Sequence, residues 1–403
     1  MMTTSGIFTD AVTLEKAEPE HFDLAFTAVT QPCPWPKAYG GDLVAAAAAA
    51  AMRSVTDGKT LHSMHSYFLR PADIGAQVRY EVELLRDGRG YSTRQVRGYQ
   101  NGKPLYAAFA NFAAGEPGGS YRAELAGLVN PEELPSSAGF RAGRAGDGYR
   151  AEMAGLTNEG ELPSSAGFRA GRAGDGYRAE MAGLTNEEEL PSSLEFLADG
   201  AGDGYRSKTA GLANPEELPS SAKILAGRRS KTAGLADPEE LPSSAQFLAD
   251  RAGGTMTDES KAYWAGGRSF DMRHVPGPVY LTVEGAKVPH QAVWVKPFDP
   301  LRPVDGLTDA QRDLAALAYV CDYTILEPVL RVLDLPWARP GLVTASLDHA
   351  MWFHREGPVD DWLLYAQEAV AADSGRGLGY GRFFTRDGLH LATVAQEGMI
   401  RAS

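Results

Sequence analysis

Gly40-Gly41-Asp42-Leu43-Val44-Ala45-Ala46-Ala47-Ala48-Ala49-Ala50-Ala51-Met52 is the stretch whose reading decides the fold. Alanine is the best helix former, so Leu43 to Met52 reads as a helix opened by two glycines. Its side chains have so little bulk that neighbouring backbone can approach closely, as it would if a sheet wrapped around the helix. Strands follow at once. Leu61 to Arg70 is apolar and aromatic, and Val78, Tyr80, Val82 and Leu84 alternate along one face. Asp87-Gly88 and Asn101-Gly102 sit where hairpin turns belong, and residues 91–100 and 103–113 complete an antiparallel meander.

The C-terminal part repeats this plan. His290 to Pro297 reads as a strand, and Thr308-Asp309-Ala310-Gln311 is a capping box. It opens a helix with an apolar stripe of Leu314, Leu317, Ala318, Cys321 and Ile325. Strands are expected at 342–355, 362–372, 379–386 and 389–400, with a turn at Asp387-Gly388. Tyr67-Phe68-Leu69-Arg70 is echoed by Trp352-Phe353-His354-Arg355. A central helix followed by an antiparallel meander, twice, makes an α+β chain of two like modules. They are expected at 1–120 and 253–403.

Between them lie five near-copies of one text, starting at Gly127, Gly155, Gly183, Gly211 and Gly234; the last reads GLADPEELPSSA. A 28-residue unit holds too few Leu, Ile, Val and Phe to bury a core, and the final spacing drops to 23. Residues 121–252 are therefore expected to be a weakly ordered tandem-repeat linker with short helical turns rather than a packed array. Lys and Arg number 39 against 52 Asp and Glu, a net charge of −13, which argues against nucleic acid as a partner. Two cysteines, Cys33 and Cys321, are too few for a disulfide framework. The start has no secretory pattern, and the longest apolar run has ten residues, too short to span a bilayer. A cytoplasmic protein without a membrane partner is expected.

No nucleophile elbow, phosphate loop, zinc motif or paired cysteines is present. Gly375, Gly377, Gly379 and Gly381 lead into a strand, which suits a bulged or closely approached strand better than a dinucleotide turn. Asp322 falls on the small-residue edge of the helix stripe, where a carboxylate is either a capping group or a base in a cleft. Ser346 and Asp348 lie two apart on one expected strand, so both would face one way, and Asp348 rivals Asp322. His349 and His354 are near, and an Asp348–His354 pair would suit a lyase. Gln396 is an amide in a small, apolar strand; it must be satisfied, by backbone, substrate or water. Cys321 has no basic neighbour in sequence to activate its thiol.

Leu61 to Pro71, Arg86-Asp87-Gly88, Gln100 to Pro104, Leu347 to Arg355, Trp362 to Tyr365 and Val394 to Gly398 together resemble the acyl-CoA thioesterase II family. The resemblance implies a double hotdog fold and hydrolysis of fatty acyl-CoA, with CoA thioester as substrate and no metal or organic cofactor. It also implies a catalytic set of Asp322, Ser346 and Gln396 holding one water, and favours Asp322 over Asp348. Two departures stand out: Asp42 follows the glycines where the family more often has an amide, and the linker is far longer. Association into a homo-oligomer, and a non-catalytic acyl-CoA binder or repeat-mediated interaction protein, remain open on the sequence.

Overall fold

Every residue from Gly41 to Met52 is buried in helix α2 (Gly40–Arg53), which fits its alanine content: apart from Asp42, none of them carries a polar side chain. The computed structural model describes residues 5–115, 235–249 and 256–402, all within one compact unit. Ahead of α2 come α1 (Ser5–Val12), β1 (Glu15–Ala17) and β2 (Leu24–Val29). After it come β3 (Thr60–Phe68), β4 (Gln77–Asp87), β5 (Tyr91–Gln100) and β6 (Lys103–Ala113). Asn101 and Gly102 both adopt positive φ, 51° and 70°, as the two-residue hairpin between β5 and β6 requires.

The later part holds α3 (Ser244–Ala249), α4 (Asp258–Ala262), a π turn at Tyr263–Gly267, β7 (Phe270–His274) and β8 (His290–Pro297). Then come α5 (Asp309–Val320), α6 (Glu327–Leu333), β9 (Leu342–Ser346), β10 (Asp348–Phe353), β11 (Leu363–Asp373), β12 (Arg376–Thr385) and β13 (His390–Ala402). The Thr308–Gln311 capping box is formed, with both reciprocal hydrogen bonds. Helix α5 is the counterpart of α2. An added Cβ on Gly41 would lie 2.4 Å from the Tyr319 carbonyl oxygen, so the two helices meet almost backbone to backbone.

Among the described residues, thirteen strands form one sheet in the order β1-β2-β4-β5-β6-β3-β10-β13-β12-β11-β8-β7, with β9 also on β13. The two modules join where β3 pairs antiparallel with β10, and His65 faces Ala350. Those two residues occupy the same place in the echoed text, each two positions before its aromatic pair. The seam is thus centred on equivalent residues, as two like modules related by a two-fold rotation demand. One continuous core runs from Phe8 through α2 and α5 to Val394. Among the described residues, no helix is long and apolar enough to cross a membrane.

Three expectations need correction. The strand expected at 342–355 is two strands: Ser346 pairs with Gly398 while Ala350 pairs with Ala395, so one extra residue is accommodated around Leu347. The helix expected to continue through Ile325 ends at Val320, and a 3₁₀ turn, Cys321–Tyr323, carries the chain on before α6. Of the linker expected at 121–252, most lies outside the described residues. Residues 235–249, however, pack on the second module, with Leu235 and Leu241 against Trp294 and Phe384.

The glycine-rich strand is closely approached, as its spacing suggests. An added Cβ on Gly379 would stand 2.2 Å from the Ile325 carbonyl oxygen, a backbone atom that cannot swing aside. Gly379→Ala is expected to cost about 2–3 kcal/mol, near the upper end for overpacking, read as a lower Tm in thermal denaturation. An unchanged Tm would contradict this packing.

Candidate active site

Asp322 reaches its position because the 3₁₀ turn tightens the chain at the end of α5 and turns the side chain out of the helix stripe. Ser346 ends β9 and Gln396 lies within β13; Ser346 pairs with Gly398, and Gln396 shares Gly398's face two residues away. The three side chains meet. The Ser346 hydroxyl donates to Asp322 Oδ1 at 2.9 Å. The Gln396 amide nitrogen donates to the same oxygen at 2.6 Å and to Ser346 Oγ at 2.9 Å. Both hydrogens of that amide are thereby used.

His349 is the member that the sequence reading passed over as a neighbour. Its Nδ1 lies 2.9 Å from Gln396 Oε1. An amide oxygen only accepts, so Nδ1 carries the proton. Burial lowers the His349 pKa and keeps the ring neutral. The ring thus settles which way the Gln396 amide points. No local signal marks it, because its role depends on Gln396 lying opposite it.

The other side of Asp322 belongs to the first module. An added Cβ on Gly40 would lie 2.5 Å from Asp322 Oδ2 and 3.2 Å from Phe68 Cε1. Glycine leaves the carboxylate undisturbed there, so the start of α2 faces it directly. The first turn of a helix has N–H groups without intrahelical partners and a positive dipole end. Tyr39 stacks on Tyr323 with ring centroids 4.2 Å apart and donates its hydroxyl hydrogen to the Tyr319 carbonyl at 2.6 Å.

The rival groups lie elsewhere. Asp348 accepts the Glu397 N–H at 3.0 Å, tying down the backbone where the register shifts. It therefore does not share Ser346's bonds, contrary to the same-face expectation. His354 Nε2 bonds Thr393 Oγ1 at 2.8 Å, so the two members of the lyase pair have separate partners. Cys321 is fully buried, and burial pushes its thiol pKa well above the ordinary value. Among the described residues, no three His, Cys, Asp or Glu side chains converge as metal ligands.

Residues 267–399 match the family described as "Acyl-CoA thioesterase", and residues 31–113 match "Acyl-CoA thioesterase N-terminal domain". The chain belongs to the acyl-CoA thioesterase II family. Acyl-CoA thioesterase 2 of Haemophilus influenzae is 24% identical over 94% of this chain and 93% of its own length. Human acyl-coenzyme A thioesterase 8 is 25% identical over 91% of this chain and 82% of its own. The crystal structure of an acyl-CoA thioesterase II from Mycobacterium marinum superposes with a TM-score of 0.55 at 22% identity, covering 98% of each chain. The fold is the double hotdog, with family segments in both modules.

Asp42 sits where an amide is more usual in this family. Burial pushes its pKa up to about 7, against the pull of the Gln31 N–H on Oδ2 and with the Asp322 charge adding to the rise. Its Oδ1 is buried without a hydrogen-bond partner. Between about pH 4 and 7 the folded protein holds a proton there that the unfolded chain has lost. Stability therefore falls as pH rises through that window. From an ordinary value of 3.8 to about 7 the effect is at most about 4 kcal/mol. Asp42→Asn is expected to raise Tm at pH 8 and to flatten its fall between pH 4 and 7. A variant whose Tm tracks the parent across that range would contradict the assignment.

Proposed function

We propose that this chain hydrolyses fatty acyl-CoA to free acid and CoA, with Asp322 as the base that takes a proton from the attacking water. The observation that carries this reading is the division of labour between the two carboxylate oxygens. Oδ1 accepts from Ser346 and Gln396, which fixes the plane of the carboxylate. Oδ2 is directed at Gly40, where the acyl carbonyl can meet both a water and the start of α2. A water bound to Oδ2 gives up its proton as its oxygen adds to the thioester carbon. The N–H groups at the start of α2 face the developing oxyanion. Collapse of the tetrahedral intermediate breaks the C–S bond, and the Asp322 proton is available to the departing thiolate.

Ser346 is a positioning hydroxyl in this route: its hydrogen goes to Asp322 Oδ1 and its oxygen accepts from the Gln396 amide. His349 positions Gln396. The route calls on no metal or organic cofactor. Holding water and thioester in one place replaces a bimolecular encounter by an oriented local one.

CoA release from palmitoyl-CoA, followed with a thiol reagent, tests the assignment. Asp322→Asn is expected to lower kcat by about 10²–10⁴, while Asp348→Asn stays close to the parent. His349→Asn, whose amide N–H can replace Nδ1–H, is expected to retain more activity than His349→Leu. Gly40→Ala should lower kcat in a folded protein by pushing the carboxylate aside. Loss with Asp348→Asn alone would move the base, and no release from short or long acyl-CoA would favour a non-catalytic binder.

A further inference from the structure

Asp322 stands in the middle of a three-residue 3₁₀ turn, Cys321–Tyr323, that joins α5 to α6. Hydrogen-bond geometry within a 3₁₀ turn is poor, so the turn contributes little stiffness of its own. The aim of its carboxylate therefore depends on what holds the two ends. Both ends are held by β11. Ahead of Asp322, the Tyr365 hydroxyl donates to the Cys321 carbonyl at 3.1 Å. Beyond it, the Gln367 amide nitrogen donates to Thr324 Oγ1 at 2.8 Å. Tyr365 and Gln367 are two apart on one strand and so share a face.

Each hold is itself fixed. The Tyr365 ring stacks on Phe383 with centroids 3.9 Å apart, and an added Cβ on Gly381 would lie 2.4 Å from its Cε2. Burial raises the Tyr365 pKa well above its ordinary value, so the hydroxyl keeps its hydrogen. Gln367 lies opposite Gln291 of β8, whose amide nitrogen donates to Gln367 Oε1 at 2.7 Å. Arg331 donates to Gln291 Oε1 through Nε at 3.3 Å and Nη2 at 3.2 Å. A guanidinium only donates, so it sets the orientation of Gln291, and Gln291 sets that of Gln367. The N–H side of Gln367 is thereby turned to Thr324. Thr324 and Gln367 are both buried, where a lost partner leaves a polar group unmet.

We propose that Tyr365 and Thr324 are positioning residues for the hydrolysis: β11 clamps the turn on both sides of Asp322 and so sets where the carboxylate stands against Gly40. The inference rests on Asp322 being the base. Neither residue touches the reacting atoms; both act through the backbone of the turn. Loss of one hold leaves the turn pivoting on the other. Loss of both lets Oδ2 leave the place where it meets the water.

Steady-state kinetics on palmitoyl-CoA test the clamp with Tyr365→Phe, Thr324→Val, their double variant, Thr324→Ser and Asp322→Asn, all as full chains. The first two each delete one hydrogen bond at nearly constant volume. Each is expected to lower kcat by about tenfold, and the double by about 10²-fold. KM should stay within about twofold of the parent, since only the reacting geometry is disturbed. Thr324→Ser keeps the hydroxyl and should hold kcat within about threefold of the parent. Tyr365→Phe decides alone if Thr324→Val does not fold. Lower Tm with parental kcat, a rise in KM without loss of kcat, or Thr324→Ser as slow as Thr324→Val would each overturn the clamp. Parental kcat in Tyr365→Phe and Thr324→Val beside an inactive Asp322→Asn would fall on the clamp alone. A fully active Asp322→Asn would overturn the base assignment and the clamp with it.

Discussion

The approach of α2 to Asp322 is the constraint on which the rest of the structure depends. A Cβ at Gly40 would stand 2.5 Å from Asp322 Oδ2, so any side chain there would displace the carboxylate. That approach is possible only because α2 is clad in alanine and can lie against α5 with Gly41 on the Tyr319 carbonyl. It is held by the β3–β10 seam, by the Tyr39–Tyr323 stack and by α1, whose Phe8 N–H donates to Ser269 Oγ at 2.8 Å. The second module brings the carboxylate, hydroxyl and amide; the first brings the helix end. Neither holds the whole site.

Placing that helix end against Asp322 has an electrostatic consequence. It supports the Asp322 carboxylate, yet it also brings Asp42, two residues into the same helix, into a dry environment beside another acid. Asp42 answers by holding its proton, with its pKa pushed up to about 7. His349 resolves its burial the other way and stays neutral. Burial thus works against charge on both Asp42 and His349, while Asp322 has two donors on its Oδ1. Such an arrangement favours one proton acceptor in the site over several competing ones.

The parts legible in sequence were those set by local rules. The alanine run, the Thr308–Gln311 capping box, and the Asn101-Gly102 hairpin each declare themselves over a few residues, and the strands at 91–100, 103–113 and 290–297 fall as read. Asp322, Ser346 and Gln396 emerged as candidates, but only the family resemblance grouped them. What was not legible depends on partners distant in the chain. The extra residue at Leu347 is visible only once β13 supplies a register. The same is true of His349, whose role needs Gln396 opposite it. The helical wheel treated Cys321 to Ile325 as continuous helix, and the 3₁₀ turn there aims Asp322 differently. The repeat text looked too poor in apolar residues to order itself, a judgement made of the segment alone. Leu235 and Leu241 find their apolar partners on the second module instead.

The central claim is that Asp322 removes a proton from water rather than attacking the thioester itself. A single turnover with enzyme in excess over palmitoyl-CoA in ¹⁸O-water decides between them most directly. Direct attack by water predicts one ¹⁸O in the released acid and none in the peptide that contains Asp322. Unlabelled acid from that first turnover, with ¹⁸O in the Asp322 carboxylate, would show an acyl-enzyme anhydride and contradict the account.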